Sequence, residues 1–142
     1  MKLPIFLKKA LLFIPALCIT GISWYLSSKT HIQTIPRIVG IDKILHCTGY
    51  AGLAFWTAFA LLPRSSSAKN YRRRLIIAFS YPVLYGIIDE IHQYRVPGRE
   101  PSVWDWTADI IGTFIGIWVY VRVRGLLNMR ILKNNIKDGE KK

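Results

Sequence analysis

Acidic residues are scarce in this 142-residue chain, in which 8 Asp and Glu stand against 20 Lys and Arg, a formal net charge of +12. Cysteine is also rare, and Cys18 and Cys47 lie in separate apolar stretches without forming a CxxC pair. This spacing excludes a disulfide framework and gives no zinc-binding motif. With 51% hydrophobic residues, the chain is also too apolar to be intrinsically disordered, because disorder requires low hydrophobicity.

The excess positive charge by itself suggests a nucleic-acid-binding protein. The hydropathy argues against that function, because a mean hydropathy of +0.25 is too apolar for a soluble basic domain of this size. A basic face that binds nucleic acid also needs aromatic or base-reading elements. We therefore expect no nucleic-acid partner, and we expect the basic residues to meet the anionic headgroups of membrane lipids.

Four apolar stretches predict an all-α protein, a four-helix transmembrane bundle that forms a single membrane domain. A helix needs about 20 residues to span a hydrocarbon core of about 30 Å. The predicted helices cover residues 10–27, 41–62, 75–91 and 104–123. The third is the shortest, and Pro82 is expected to kink it. A buried or tilted third helix is the alternative reading of that stretch.

The basic residues predict the orientation of this bundle. The N-terminal segment, the loop after the second helix and the tail at 124–142 hold most of the Lys and Arg residues. Because Lys and Arg accumulate on the cytoplasmic side of short loops, both termini are expected in the cytoplasm. The first stretch has the positive start and apolar core of a signal peptide, but no A-x-A site follows it. We therefore expect it to remain as an uncleaved helix.

Six of the eight acidic residues fall where this topology places the outer membrane face: Asp42, Asp89, Glu90, Glu100, Asp105 and Asp109. A carboxylate in hydrocarbon costs at least a few kcal/mol, so ionisable residues within spanning helices are functional candidates. Residues four apart share one face of a helix, so His46 lies on the same face as Asp42, and Gln93 on the same face as Asp89. Glu90 points away from the face that carries Asp89. Interhelical hydrogen bonding without further function, worth about 0.6 to 2 kcal/mol per bond, is the alternative for each residue.

Two further features lie near these acids. On the last helix, Gly112 and Gly116 form a GxxxG motif, which allows another helix to approach closely. In the preceding loop, Pro97-Gly98 is a turn signal that places Arg99 over the acidic residues. Because the guanidinium is a rigid fork that suits carboxylate and phosphate, Arg99 is expected either to neutralise a neighbouring acid or to bind an anionic headgroup.

Three motifs of the chain resemble those of the VanZ-like family. They are Asp42-Lys43-x-x-His46, then Gly86-x-x-Asp89-Glu90-x-x-Gln93-x-x-x-Pro97-x-Arg99, then Asp105-x-x-x-Asp109-x-x-Gly112-x-x-x-Gly116, within residues 41–121. Members of this family are small integral membrane proteins of bacteria, and the name-giving member is linked to low-level resistance to the glycopeptide antibiotic teicoplanin. The family often has Asn at the position of Asp109. The resemblance implies a multi-pass protein of the cell envelope, in the inner (cytoplasmic) membrane.

Three functional hypotheses follow. In the first, an outward-facing polar pocket binds or remodels a lipid, a lipid-linked cell-wall precursor or an amphiphilic antibiotic. The residues assigned to that substrate are Lys43, Asp89, Gln93, Arg99, Asp105 and Asp109. In the second, the protein is a membrane-embedded lipid-phosphate hydrolase or transferase, with Glu90 or Asp89 as the base. His46 would be the proton shuttle, and Asp42 would orient His46. A covalent mechanism has little support, because no serine or cysteine has an evident partner in this region.

A small transporter or proton-coupled channel is the third hypothesis. The polar residues collect at one membrane face, whereas a pathway should show them at every depth. A homo-oligomer could build such a pathway between subunits, and the sequence is compatible with one. No cofactor is expected. No metal site is expected either, because hard cations take six or more oxygen ligands in fixed geometry, which the sequence does not display. The alternative is a divalent cation at the cluster of Asp42, Asp89, Asp105 and Asp109.

Overall fold

The structure, a computed structural model, describes residues 4–29, 40–62 and 68–139. Over these residues the chain is all-helical, with α1 (Ile5–Leu11), α2 (Ile14–Ser27), α3 (Ile41–Leu61), α4 (Ala68–Gln93) and α5 (Val103–Gly139). Four stretches of the described chain are long and apolar enough to cross a membrane, namely Ile5–Ser27, Ile41–Leu61, Lys69–Gln93 and Val103–Met129. The prediction of an all-α fold with four membrane-spanning helices is confirmed.

The third spanning helix is longer than the sequence suggested. It was expected over 75–91 and runs over Ala68–Gln93 in the structure. The chain stays helical through Pro82, although proline lacks the backbone N–H that would extend the helical hydrogen bonds. Because α4 packs against both α3 and α5, tertiary contacts hold this helix together where local propensity is weak.

The first and last spans also extend beyond their predicted ends. The first begins at Ile5 and is interrupted at Leu12 and Phe13, shortly before Pro15. A proline at that position is compatible with the first turn of a new helix but not with the interior of a continuous one. At the other end of the chain, α5 continues to Gly139, so most of the basic tail is helical.

Many apolar side chains lie on the outside of the bundle. Ile22, Ile88, Phe114 and Trp118 are each more than half exposed. Apolar surface of this extent is unfavourable in water, whereas the hydrocarbon core of a bilayer accommodates it. Together with the four spanning helices, this surface is that of a multi-pass membrane protein.

α3 and α5 run parallel and form the most extensive helix–helix contact. Gly112 faces the main-chain carbonyl of Cys47, and Gly116 faces that of Ala51, so that a Cβ atom at either glycine would overlap a carbonyl group. The GxxxG motif is therefore used inside this chain to bring α5 against α3. α4 packs on both helices, and α2 packs on α3 and α4.

The bundle has two chemically different ends. We call one the acidic end, since it carries the side chains of Asp42, Asp89, Glu90, Glu100, Asp105 and Asp109. At the opposite, basic end, the carbonyl of Leu62 accepts hydrogen bonds from the Tyr120 hydroxyl at 2.9 Å and from the Arg124 guanidinium at 2.8 Å. Arg74 donates to the neighbouring carbonyl of Leu61 at 3.1 Å. The topology thus brings acids from three separate helices to one depth, as the sequence predicted.

Candidate functional site

A buried histidine–carboxylate contact joins α3 to α5 at the acidic end. His46 Nδ1 lies 3.0 Å from Asp109 Oδ1. Asp109 is fully buried, and the His46 side chain is 16% exposed. Among the described residues, Asp109 Oδ2 has no hydrogen-bond partner. A buried acceptor left unsatisfied costs about 1–3 kcal/mol, so this oxygen is a candidate ligand.

Glu90 lies beside this pair. Its Oε2 accepts a hydrogen bond from the backbone N–H of Ser102 at 2.7 Å, which fastens the end of α4 to the start of α5. Its Oε1 is buried and without a hydrogen-bond partner in the described part of the chain. His46, Glu90 and Asp109, hereafter the His46 cluster, each offer one ligand atom, and these atoms lie within 4.8 Å of one another. Helical phase separated Glu90 from the face that carries Asp89. In the structure it joins this cluster because Gly86, one turn earlier on the same face of α4, approaches Asp109 on α5.

Asp89 joins α2 to α4. Its Oδ2 accepts hydrogen bonds from the Ser27 hydroxyl at 2.8 Å and from the Gln93 amide at 3.3 Å. Asp89 and Gln93 are almost completely buried, and within the described ranges Asp89 Oδ1 has no partner. Asp89 and Gln93 therefore lie between α2 and α4, where their contacts with Ser27 hold the end of α2 against α4.

Lys43 connects two carboxylates near the surface. Its Nζ lies 3.0 Å from Asp42 Oδ2 and 3.0 Å from Asp105 Oδ1. Lys43 and Asp42 are about half exposed, whereas the Asp105 side chain is 10% exposed. Asp42 was expected to orient His46, but Asp109 makes that contact instead. Asp42 lies in the first turn of α3 next to Lys43, whereas Asp109 is buried across the α3–α5 contact.

Arg99 binds the end of α2 through a tight turn. The N–H of Arg99 donates to the Val96 carbonyl at 3.1 Å, and Gly98 has φ of 80°, as expected for glycine at the third position of a type II turn. The guanidinium donates to the carbonyls of Lys29 at 3.1 Å and of Leu26 at 3.0 Å. Within the described residues Arg99 forms no ion pair with an acid. It caps the last carbonyls of α2 instead of neutralising a carboxylate.

Sequence reasoning missed the serines at the end of α2. Ser27 contacts Asp89, and the Ser28 hydroxyl lies 2.7 Å from the Trp24 carbonyl and 2.9 Å from His92 Nε2. Because Ser28 donates its single proton to the carbonyl, it accepts from His92 and is not activated as a nucleophile. Both serines precede the recognised motifs, and only the topology that puts the end of α2 beside the end of α4 could have signalled them.

A cavity of about 470 Å³ opens between α2 and α3 at the acidic end, and we call it the α2–α3 cavity. Its polar part includes Ser27, Asp42, His46 and Arg99. Tyr50, whose hydroxyl has no hydrogen-bond partner among the residues described, also lines it. Its apolar part is formed by Ile19, Ile22, Leu26, Leu45 and Leu53. His46 belongs both to this cavity and to the His46 cluster, so the two are contiguous.

The comparison with known families identifies this architecture. A family model described as VanZ/LLP1 matches residues 2–127, a wider range than the region 41–121 that carries the motifs. Searches of the curated proteins and of the solved structures gave no significant match. Because the family match covers most of the sequence, including the first three spans and nearly all of the fourth, the chain belongs to the VanZ/LLP1 family.

Proposed function

We propose that this protein binds an amphiphile at its acidic end, with the headgroup in the polar part of the α2–α3 cavity and the apolar tail along the groove between the two helices. The observation that carries the proposal is that one cavity combines polar side chains at the end of the bundle with an apolar wall that continues deeper into the span through Ile19, Ile22 and Leu53. Ligand sites of this size combine apolar walls with a few polar groups that fix orientation. Ile22 and Leu45, on the cavity wall, are about half exposed, so the groove opens towards the lipid.

The cations of this end favour an anionic headgroup. A guanidinium has five N–H donors, and the two contacts of Arg99 with α2 do not exhaust them. The ammonium of Lys43 is partly exposed beside the cavity mouth. Phosphate is a group that both side chains bind well. A phospholipid and a lipid-linked cell-wall precursor carry such a phosphate, whereas an amphiphilic antibiotic such as teicoplanin would offer a carboxylate to the same two cations.

Filling the cavity is expected to weaken amphiphile binding. Gly49 lines the cavity, and a Cβ atom built there meets nothing within 4 Å, so a larger side chain enters the cavity without displacing a helix. Forcing a ligand past such a side chain costs about 1–3 kcal/mol, so Gly49→Ile should weaken binding roughly tenfold. The measurement is the affinity for a fluorescent polyprenyl phosphate, with the protein in nanodiscs of phosphatidylethanolamine and phosphatidylglycerol.

Gly21→Ile is the matched control. Gly21 lies on α2, outside the lining of the cavity, and a Cβ atom there also meets nothing within 4 Å. This variant should bind the probe like the unmodified protein. Equal affinities of the Gly49→Ile and Gly21→Ile variants would show that the amphiphile does not occupy the α2–α3 cavity.

A lipid-phosphate hydrolase or transferase is the second candidate, and the His46–Asp109 contact favours it. A carboxylate that holds an imidazole in one orientation is a recurrent arrangement for general acid–base catalysis. Glu90 lies in the same cluster and would supply a second carboxylate. Release of labelled product from a lipid phosphate by purified protein, with loss of turnover but not of lipid binding in Glu90→Gln, would favour the enzyme. Bound but unchanged lipid would favour the binding protein.

We further propose that the protein lies in the inner membrane of a bacterium with both termini in the cytoplasm. The basic end then meets anionic headgroups through residues such as Arg72 and Arg73 at the start of α4. A Glu100→Cys variant should react with a membrane-impermeant thiol reagent in intact spheroplasts, and Lys69→Cys only after lysis. The unmodified chain corrects for labelling of Cys18 and Cys47, and the reverse pattern would overturn the orientation.

A further inference from the structure

We infer that the His46 cluster is a binding site for one divalent transition-metal ion. The site lies between three helices, with His46 from α3, Glu90 from α4 and Asp109 from α5. One ligand atom from each lies within 4.8 Å of the other two. Donor atoms bound to one ion at about 2.1 Å are themselves about 3–4 Å apart, so small side-chain adjustments would bring all three into coordination.

The unsatisfied oxygens of the cluster point to a ligand independently of this spacing. Asp109 is fully buried, yet its Oδ2 has no hydrogen-bond partner in the described part of the chain, and the same is true of Glu90 Oε1. Buried charged groups are normally paired or coordinate a metal. Because the second oxygen of each carboxylate is already held, by His46 and by the Ser102 N–H respectively, the free oxygens are positioned rather than mobile.

Gly86 keeps space around the free oxygen of Asp109. A Cβ atom at this position would lie 2.9 Å from Asp109 Oδ2 and 3.1 Å from Cδ1 of Trp106. It is one helical turn before Glu90, on the same face of α4. The absence of a side chain at Gly86 is thus a condition for the carboxylate to keep its orientation in the cluster.

The donor set decides the class of ion. One imidazole nitrogen with two carboxylate oxygens is a mixed set that suits Zn²⁺ or Mn²⁺ better than Ca²⁺ or Mg²⁺, which prefer oxygen alone. Three protein ligands leave at least one coordination position open, as in catalytic zinc sites. Because His46 also lines the α2–α3 cavity, that position would face the cavity and accept water or a headgroup oxygen. The last step rests on the proposed amphiphile binding, whereas the ion site does not.

The test is a metal titration of the full-length protein in nanodiscs after treatment with a chelator. We expect one Zn²⁺ or Mn²⁺ per chain, a rise in the temperature of unfolding on binding, and a much weaker response to Mg²⁺ and Ca²⁺. Removing even an outer-shell partner weakens metal binding by about 10- to 100-fold, so Glu90→Gln and Asp109→Asn should weaken it by roughly 100-fold or more. For bound Mn²⁺, electron paramagnetic resonance should report coordinated nitrogen that disappears in His46→Gln.

Glu100→Gln is the matched control, since it removes an exposed carboxylate from the same end of the bundle and should leave ion affinity unchanged. Failure of the unmodified protein to bind either ion at one per chain would overturn the site without any variant. Equal losses in Glu100→Gln and Glu90→Gln would also overturn it, because they would indicate nonspecific attraction to the acidic end. Amphiphile binding measured on the metal-free protein separates the two proposals, since either can fail while the other holds.

Discussion

Gly112→Ala and Gly116→Ala are expected to destabilise the bundle by about 3 kcal/mol each, at the upper end of what overpacking costs. The added Cβ at position 112 would overlap the carbonyl of Cys47, and the one at position 116 the carbonyl of Ala51. A clash with a side chain can be relieved by a rotamer change, but a clash with the main chain cannot. Relief requires α5 to move away from α3, and that movement disrupts the most extensive contact in the protein.

The measurement is equilibrium unfolding in mixed micelles, with Gly125→Ala as the control on the same helix. A Cβ atom at Gly125 meets nothing within 4 Å. Alanine is the better helix former by about 0.5–1 kcal/mol, so this variant should be slightly stabilised or unchanged. Similar free energies of unfolding for all three variants would contradict the close approach of α3 and α5.

Separation of the two helices would also pull Asp109 away from His46, so the Gly112 variant should weaken metal binding as well.

Asp89→Ala is expected to destabilise the protein by about 2–4 kcal/mol, because it leaves the buried Ser27 hydroxyl without its acceptor and the buried Gln93 amide with only its 3.4 Å contact to Ser27 Oγ. Ser27 and Gln93 are 5% and 2% exposed, so water does not readily replace the lost carboxylate. Asp89→Asn keeps one acceptor oxygen and should lose only about 1 kcal/mol. Hydrogen exchange should show the loss concentrated in α2, because the contact joins α2 to α4.

Asp42→Ala provides the comparison at the exposed edge of the same end. Asp42 is 53% exposed and pairs with Lys43, which keeps its second partner, Asp105. An exposed ion pair contributes about 0–1 kcal/mol, so the loss should stay within that range. If Asp42→Ala were as damaging as Asp89→Ala, burial would not be what distinguishes the two carboxylates.

Sequence patterns alone were enough to locate the four spans, their order and the depth of the acidic residues. Hydropathy is a local property summed over about 20 residues, so it locates each span without knowledge of the fold. Because successive spans cross the membrane in opposite directions, the starts of α3 and α5 and the end of α4 lie at the same depth. The GxxxG motif could also be recognised from local sequence, because Gly112 and Gly116 are four residues apart and so share one face of a helix. The sequence did not predict that α4 begins as early as Ala68, because its first turns are rich in Lys and Arg and lower the local hydropathy. Contacts of α4 with α3 and α5 stabilise the helix in the structure.

Which side chains meet depends on how the helices pack, and this became visible only in the folded bundle. The sequence predicted Asp42 as the partner of His46. The structure gives Asp109 instead, because the glycines of α5 bring its backbone against α3. Glu90 joined the same cluster because α4 turns the face that carries Gly86 and Glu90 towards Asp109, and the sequence does not specify that rotation. Arg99 went to the carbonyls at the end of α2, which lie outside the recognised motifs. Helical periodicity specifies the direction of a side chain from its own axis, whereas partners depend on the rotation and spacing of neighbouring helices.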